Sequence, residues 1–195
     1  MGTRGVYGFY KNGIDKLAYN HWDSYPDILG KNIVDFIKET SIKEMNNIFD
    51  KIILVDENSE PTLEQIRECE KWADLNVSSR QLNEWYVLLR QTQGNLNAFK
   101  TDLRYMIDGK DFIKESLSCE WGYIINLDTN KFEVYRGFQT ENQDNRYKLN
   151  QNEVNQLKKE YEYYNCKLIE EFDLDNIPND WVEIIKELTK GDEED

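Results

Sequence analysis

Histidine is nearly absent from this sequence, which contains only His21. A site that needs two histidines, such as the HExxH helix of a zinc protease, therefore does not form within one copy of the chain. Glycine-rich phosphate loops are missing as well. Gly2, Gly5 and Gly8 lie three residues apart along a predicted strand, and no helix follows them to receive a phosphate. We therefore set aside kinases, NTPases and dinucleotide-binding enzymes, and we expect no metal and no cofactor.

Cysteine is also scarce, and its pattern argues against a disulfide framework. Cys69, Cys119 and Cys166 are odd in number, lie far apart and include no CxxC pair. This pattern predicts buried, reduced thiols in a cytosolic protein. No apolar run approaches the roughly 20 residues that span a bilayer, and no apolar signal segment opens the chain. We therefore expect a cytoplasmic location.

Positive charge is in short supply: 24 Lys and Arg face 38 Asp and Glu, which leaves a net charge of −14. A negative field repels phosphate backbones and anionic lipid surfaces, so we expect no nucleic acid and no membrane as partners. The aromatic content of 13% is typical of a packed fold rather than a disordered chain. The length predicts one α+β domain over 1–190, followed by an acidic tail at 191–195.

Two hairpins dominate the predicted strands. The first covers 5–19 and turns at Asn12-Gly13, and the second covers 119–138 and turns at 128–131. A late strand is predicted at 166–174. We therefore expect a mainly antiparallel sheet of about five strands, built from two hairpins and this strand, with several inserted helices and a C-terminal helix.

Apolar spacing at three and four residues predicts the helices. Ile52 to Val55 is too short for periodicity to choose between a strand and a connector, and 139–148 is predicted to be an exposed loop. The helices are predicted over 29–39, over 41–49, from Pro61 to Ala73, over 78–89, over 96–106, from the cap Asn150, and after Pro178.

The densest group of chemically active side chains is Asn20-His21-Trp22-Asp23-Ser24-Tyr25. A carboxylate beside an imidazole raises the pKa of the ring and fixes its tautomer, which prepares a general base. Such segments in loops often form binding sites. The alternative is a turn that leads into a helix, with Asp23 or Ser24 as its cap. The sequence leaves both interpretations open.

Thr3 provides a second, enzymatic hypothesis. A threonine whose own α-amino group activates its hydroxyl is a known nucleophile, and cleavage after Gly2 would expose one at the start of a strand. An amidohydrolase would use Thr3, or else His21 with Asp23. The alternative for Thr3 is an ordinary first strand.

Glu120 is expected to face away from the core if its neighbours Cys119 and Trp121 face inward. On that side of the sheet Glu120 could meet Arg4. Such a pair would be either a structural strut or part of a pocket.

Two motifs resemble a family of small uncharacterised proteins that bacteriophages and prophages carry. The first motif is Met1-Gly2-Thr3-Arg4-Gly5 with Tyr19-Asn20-His21-Trp22-Asp23-Ser24-Tyr25-Pro26 and Leu29-Gly30. The second is Ser118-Cys119-Glu120-Trp121 with Tyr123, Leu127-Asp128-Thr129 and Phe132-Glu133-Val134-Tyr135. The resemblance covers both hairpins. It implies that one shared feature contains Arg4, Asn20, His21, Asp23, Ser24 and Glu120.

A phage origin makes an accessory role the leading expectation. The chain would be a binding or regulatory protein that acts through a polar pocket or its acidic surface, and Tyr25 would belong to that pocket. Its partner would be a host or defence protein or a small-molecule ligand. The two alternatives are the amidohydrolase and a purely structural role for the motif residues.

Overall fold

A computed structural model describes residues 2–157 and 163–191 of the chain. Seven strands and six α-helices are assigned within these ranges. The strands are β1 (Gly5–Lys11), β2 (Ile14–Asn20), β3 (Ile53–Val55), β4 (Tyr105–Ile107), β5 (Trp121–Asn126), β6 (Lys131–Arg136) and β7 (Lys167–Asp173). The helices are α1 (Lys31–Lys38), α2 (Ile42–Lys51), α3 (Leu63–Cys69), α4 (Trp85–Leu88), α5 (Gln151–Gln156) and α6 (Trp181–Thr189).

The main sheet has five strands in the order β2-β1-β5-β6-β7. The two predicted hairpins form β1–β2 and β5–β6, and the late strand adds to the second hairpin as β7. These pairs are antiparallel, whereas β1 and β5 run parallel and join the hairpins at the centre of the sheet. The α+β fold with a mainly antiparallel sheet and a C-terminal helix is confirmed.

Local turn chemistry accounts for both hairpins. Asn12 and Gly13 have φ angles of 52° and 75°, as a two-residue hairpin turn requires, and Lys11 pairs with Ile14 across it. In the second turn the Asn126 side chain accepts the backbone N–H groups of Asp128 and Thr129 at 3.1 and 3.2 Å. Each turn is therefore encoded by residues within it or next to it, and the Asp128 carboxylate of the second turn also accepts the Asn12 N–H of the first.

The helix that the apolar spacing predicts over 96–106 is wrong. Leu96–Lys100 forms a short 3-10 helix, and the chain then extends into β4. β4 pairs in parallel with β3 in a second, two-stranded sheet. This pairing joins residues about fifty positions apart, so it leaves no local signal and overrides the apolar spacing.

Three other helices differ in their limits from the prediction. A π-helical turn at Pro26–Gly30 precedes α1, so the predicted 29–39 helix begins later. The helix predicted from Pro61 begins at Leu63 and ends at Cys69, with Thr62 as its cap. The helix predicted over 78–89 is reduced to α4, because the hydroxyls of Ser78 and Ser79 bind the Glu84 carboxylate instead of capping a helix.

In the C-terminal third, the predicted cap of α5 is confirmed, whereas the predicted exposure of the 139–148 loop is not. The Asn150 side chain accepts the Glu153 N–H at 3.1 Å, which confirms the capping box that begins α5. The loop predicted to be exposed at 139–148 contains Tyr147, which is only 3% exposed, so that part of the prediction is wrong. Of the predicted acidic tail, only Gly191 is among the described residues.

Strand alternation gives the sheet two covered faces. One face carries Phe9, Tyr123 and Phe132 and packs against most of the helices. The other carries Val6 and Ile124 and packs against a smaller apolar cluster. All three cysteines are buried and free. Within 2–157 and 163–191, no helix is both long and apolar enough to cross a membrane.

Candidate functional site

The parallel pairing of β1 with β5 places the two sequence motifs side by side. Gly5 pairs with Trp121, so Arg4 and Glu120 lie next to each other just before the strands. The Glu120 N–H donates to the Arg4 carbonyl at 3.0 Å, and the Arg4 N–H donates to the Glu120 carboxylate at 3.3 Å. The expected contact is thus made by the Arg4 backbone, and no salt bridge joins the two side chains among the described residues.

Asn20, at the end of β2, holds the following loop against the start of the chain. Its Nδ2 donates to the Ser24 Oγ at 2.8 Å and also to the Trp22 carbonyl. The Ser24 N–H donates to the Thr3 carbonyl at 3.1 Å, and the Tyr123 hydroxyl donates to the Ser24 carbonyl at 2.9 Å. We name Thr3, Asn20, Ser24 and Tyr123 the Asn20 network. All four residues are buried.

Close packing restricts the residues around the Asn20 network. A Cβ on Gly5 would lie 2.8 Å from the Ser24 Cβ and 2.6 Å from the Trp121 carbonyl oxygen. Asp23 has a φ angle of 55°, and its carbonyl accepts the Leu29 N–H at 3.3 Å. Asp23 therefore shapes the turn through its backbone. The residue that precedes the helical turn Pro26–Gly30 is Tyr25, so the prediction that Asp23 or Ser24 caps the helix is wrong.

His21 lies at the edge of the Asn20 network and forms its hydrogen bonds with residues outside that network. Its Nδ1 is 2.7 Å from the Tyr19 hydroxyl, and its backbone N–H donates to the Gln93 Oε1 at 3.3 Å. Arg90 donates to the same Gln93 oxygen at 2.8 Å. No hydrogen bond joins His21 to the Asp23 side chain in the described part of the chain. The two members of the expected base pair are neighbours but do not interact through their side chains.

Two cations lie near the imidazole. Because Gly5 pairs with Asn20, Arg4 lies across the hairpin from His21, and Arg90 approaches through Gln93. Burial lowers the pKa of His21, and the charges of Arg90 and Arg4 lower it further. The pKa of the Tyr19 phenol is raised, chiefly by burial. Burial and both guanidinium charges therefore favour the neutral form of the ring.

Exposed aromatic rings border these groups. The side chain of Trp22 is 51% exposed, its ring packs edge-on against His21 with centroids 4.5 Å apart, and Gly2 lies against its other side. Tyr25, 47% exposed, belongs to the same loop. The Arg90 guanidinium lies 5.8 Å from the Tyr86 ring centre. We name Arg4, Tyr19, His21, Trp22, Arg90 and Gln93 the His21 surface.

Beneath the His21 surface is a small cavity of about 30 Å³. Tyr19, Gln93, Glu57 and Tyr86 contribute to its lining, and the rest is mostly apolar. A volume of this size holds one or two waters rather than a substrate. A ligand of the His21 surface would therefore lie across it and not within the cavity.

The seven residues predicted to form one pocket divide between these two environments. Arg4 and His21 contribute to the His21 surface, whereas Asn20 and Ser24 belong to the Asn20 network. Asp23 and Tyr25 lie in the connecting turn, and the Glu120 carboxylate accepts a hydrogen bond from the Arg4 backbone N–H. Tyr19, Arg90 and Gln93 were not among the residues predicted from the sequence. Tyr19 was within the quoted motif, but nothing in the sequence connects positions 90 and 93 with it.

Thr3, the residue of the enzymatic hypothesis, lies in the Asn20 network. It is 2% exposed, and its carbonyl is occupied by the Ser24 N–H. In the chain that retains Gly2, its hydroxyl is therefore not accessible to a substrate.

Comparisons with known proteins identify no relative. No protein-family model matches the chain, and neither a curated protein nor a solved structure is significantly similar to it. Among residues 2–157 and 163–191, no group of three or more His, Cys, Asp or Glu side chains is arranged to hold a metal ion.

Proposed function

We propose that this chain is a cytoplasmic binding or regulatory protein of phage or prophage type. Its His21 surface would hold an anionic group, a carboxylate or a phosphate, of its partner. That partner is a host or defence protein or a small-molecule ligand. No catalytic step is required of the site.

The observation that carries this proposal is that two arginine side chains without a salt bridge both act on the single imidazole of an acidic molecule. In the described ranges no salt bridge joins the guanidinium of Arg4 or of Arg90 to a carboxylate, although Glu120 accepts the Arg4 backbone N–H and the chain has a net charge of −14. Other cations of the described ranges, such as Lys43 and Lys51, also lack a salt bridge, so what distinguishes Arg4 and Arg90 is that the charges of both act on the same imidazole. A guanidinium group presents its N–H donors as a planar fork that matches carboxylates and phosphates.

The aromatic border supports the same proposal. Trp22 is half exposed, and Trp is among the residues that most often contribute binding energy when a partner covers them. Because Trp22 packs against the His21 ring and Gly2, its position is fixed before binding, which lowers the entropic cost of association.

The experiment is a comparison of bound species between matched variants. Tagged wild-type protein and the Arg4→Glu/Arg90→Glu variant are recovered from host lysate, and retained proteins and small molecules are identified by native mass spectrometry. We expect at least one species that the wild type retains and the double variant loses. Lys43→Glu/Lys51→Glu is the control, because both lysines are exposed and the change in charge is the same. Equal retention by all three proteins would refute the proposal.

The rival amidohydrolase makes a different prediction about the same preparation. If Thr3 were a processed nucleophile, intact-mass measurement would show Met1 and Gly2 lost together. Loss of neither residue, or of Met1 alone, favours the binding protein. The His21→Ala variant tests the structural alternative. If His21 serves only to stabilise the fold, this variant must melt at a clearly lower temperature than the wild type.

A further inference from the structure

A second group of charged side chains lies at the other end of the first hairpin, away from the His21 surface. Here a surface cleft of about 420 Å³ opens beside the Asn12-Gly13 turn. We name it the Asp15 cleft. It is lined by Gly13, Ile14, Asp15, Leu54, Lys110, Asp111, Lys114, Arg146 and Tyr147.

Behind the cleft, Glu133 is a fully buried carboxylate whose hydrogen-bonding capacity is met. The Asn126 Nδ2 donates to it at 2.7 Å and the Tyr135 hydroxyl at 2.9 Å. Arg146 adds a forked pair of hydrogen bonds to both oxygens. Glu133 and Arg146 therefore neutralise each other, and neither has a charge left for a ligand.

Aromatic rings enclose the guanidinium of Arg146. The centre of the Tyr10 ring is 3.9 Å from its Cζ, and that of Tyr147 is 4.9 Å away. This corner of the sheet thus already holds one cation between π faces and a carboxylate. Arg146 also donates to the Tyr147 hydroxyl at 3.2 Å, which links this pair to Asp15.

Asp15 is the carboxylate of the cleft that lacks a direct ion pair among the described residues. Its Oδ1 accepts the Tyr147 hydroxyl at 2.7 Å, but no cation lies within 4.0 Å of it among the described residues. The two lysines of the cleft are engaged elsewhere, Lys110 with Asp108 and Lys114 with Glu153 at 2.7 Å. Burial raises the pKa of Asp15, and the Tyr147 hydroxyl and the more distant charges of Arg146 and Lys110 offset this effect only in part.

We propose that the Asp15 cleft binds a primary alkylammonium group, with Asp15 as its counter-ion and the side chains of Ile14 and Leu54 against its methylenes. A protonated amine would supply the missing opposite charge and would donate to the Asp15 oxygen that Tyr147 leaves free. The net charge of −14 attracts such a cation to the molecule. The source is either a free alkyl diamine or the side chain of a peptide lysine.

The test is an NMR titration of ¹⁵N-labelled protein at physiological ionic strength. The probes are 1,4-diaminobutane and Nα-acetyl-lysine methylamide, and 1,4-butanediol is the uncharged control of matched length. We expect saturable shifts of the Gly13, Ile14, Asp15 and Tyr147 amides with at least one amine and none with the diol. The probe that binds more tightly identifies the source.

Variants distinguish amine binding in the Asp15 cleft from nonspecific attraction of amines to the acidic surface. Asp15→Asn keeps an acceptor for the Tyr147 hydroxyl and removes the charge, so amine affinity should fall by about tenfold or more. Asp175→Asn makes the same change in charge at an exposed turn and should leave affinity unchanged. Ile14→Trp fills the cleft mouth while keeping Asp15, and it should weaken binding even if Asp15→Asn does not fold. Equal affinity of all variants, or shifts spread over the acidic surface, would overturn the proposal.

Discussion

Side chains that are adjacent in the sequence have different surroundings in the fold. Asn20 and Ser24 are buried, and each bonds to the other as well as to backbone groups. His21, between them, is partly exposed and lies beside two cations. We therefore expect substitutions at Asn20 to affect stability, and those at His21 to affect protonation and binding.

Asn20→Ala should destabilise the protein by about 1–3 kcal/mol, the usual cost of leaving buried polar groups without partners. The change removes the donor to the Ser24 Oγ and to the Trp22 carbonyl. Urea denaturation measures the change in the free energy of unfolding. Asn47→Ala is the control, because Asn47 is exposed on α2 and alanine suits a helix. If both variants unfold at the same urea concentration, the Asn20 network does not stabilise the fold.

His21 provides a direct measure of its surroundings, because it is the only histidine and gives one imidazole signal. We expect its NMR titration midpoint to lie below the ordinary value of 6.5, since burial and the charges of Arg90 and Arg4 all favour the neutral ring. Arg90→Gln should raise the midpoint, and Arg67→Gln on α3 should leave it unchanged. A midpoint at or above 6.5 in the wild type would show that the cations do not face the ring.

The same shift has a consequence for stability. A folded-state pKa below the unfolded value means that the unfolded chain binds the extra proton first. The contribution of His21 is therefore present above pH 6.5 and is lost as the pH falls through the folded-state pKa. As the pH is lowered from neutral to the folded-state pKa of His21, the melting temperature of His21→Gln should therefore fall less than that of the wild type. A wild type and variant with parallel pH profiles would contradict this.

At the scale of elements, the hairpins were predictable and their association was not. The turn at Asn12-Gly13 and the one before Lys131 are encoded by adjacent residues, so the sequence identifies them. The parallel pairing of β1 with β5 joins positions more than 110 residues apart and has no local signature. The same reason explains the wrong helix over 96–106, where β4 instead pairs with β3.

The candidate sites follow the same division. The segment from Asn20 to Tyr25 could be found because its residues are consecutive. Arg90 and Gln93 reach His21 only through the fold. The Asp15 cleft was missed entirely, because its charged residues come from β2, from the short 3-10 helix Lys110–Lys114 and from the 139–148 loop, which was predicted to be exposed.

Gly8 tests the geometry of the first hairpin. Its φ angle is 148°, and a Cβ there would lie 2.1 Å from the Lys16 carbonyl oxygen of β2. Gly8→Ala therefore requires β1 and β2 to separate, and we expect a greater loss of stability than the roughly 1–2 kcal/mol of left-handed strain alone. Gly13→Ala is the matched control, because Gly13 has a φ angle of 75° and no atom within 4 Å of its Cβ position. Similar free energies of unfolding for the two variants would contradict this packing.

At the scale of the whole molecule, the dominant feature is the charge of −14. Self-repulsion of that size destabilises the compact state, and salt screens it over a Debye length of about 8–10 Å at physiological ionic strength. Salt also weakens attractive ion pairs, but exposed pairs such as Lys71–Asp102 contribute little. The relief of repulsion should therefore exceed the loss of these attractions.

We accordingly expect the melting temperature to rise between roughly 10 and 200 mM NaCl. Most of the rise should occur at the low-salt end, where the Debye length shortens most. Replacing exposed acidic residues far from both candidate sites, for example Glu64→Gln and Asp175→Asn together, should raise the low-salt melting temperature and reduce the slope. The His21 surface should respond in the opposite direction, because salt weakens its attraction for an anion. A melting temperature that falls with salt would mean that local ion pairs, not the net charge, govern the electrostatics of this fold.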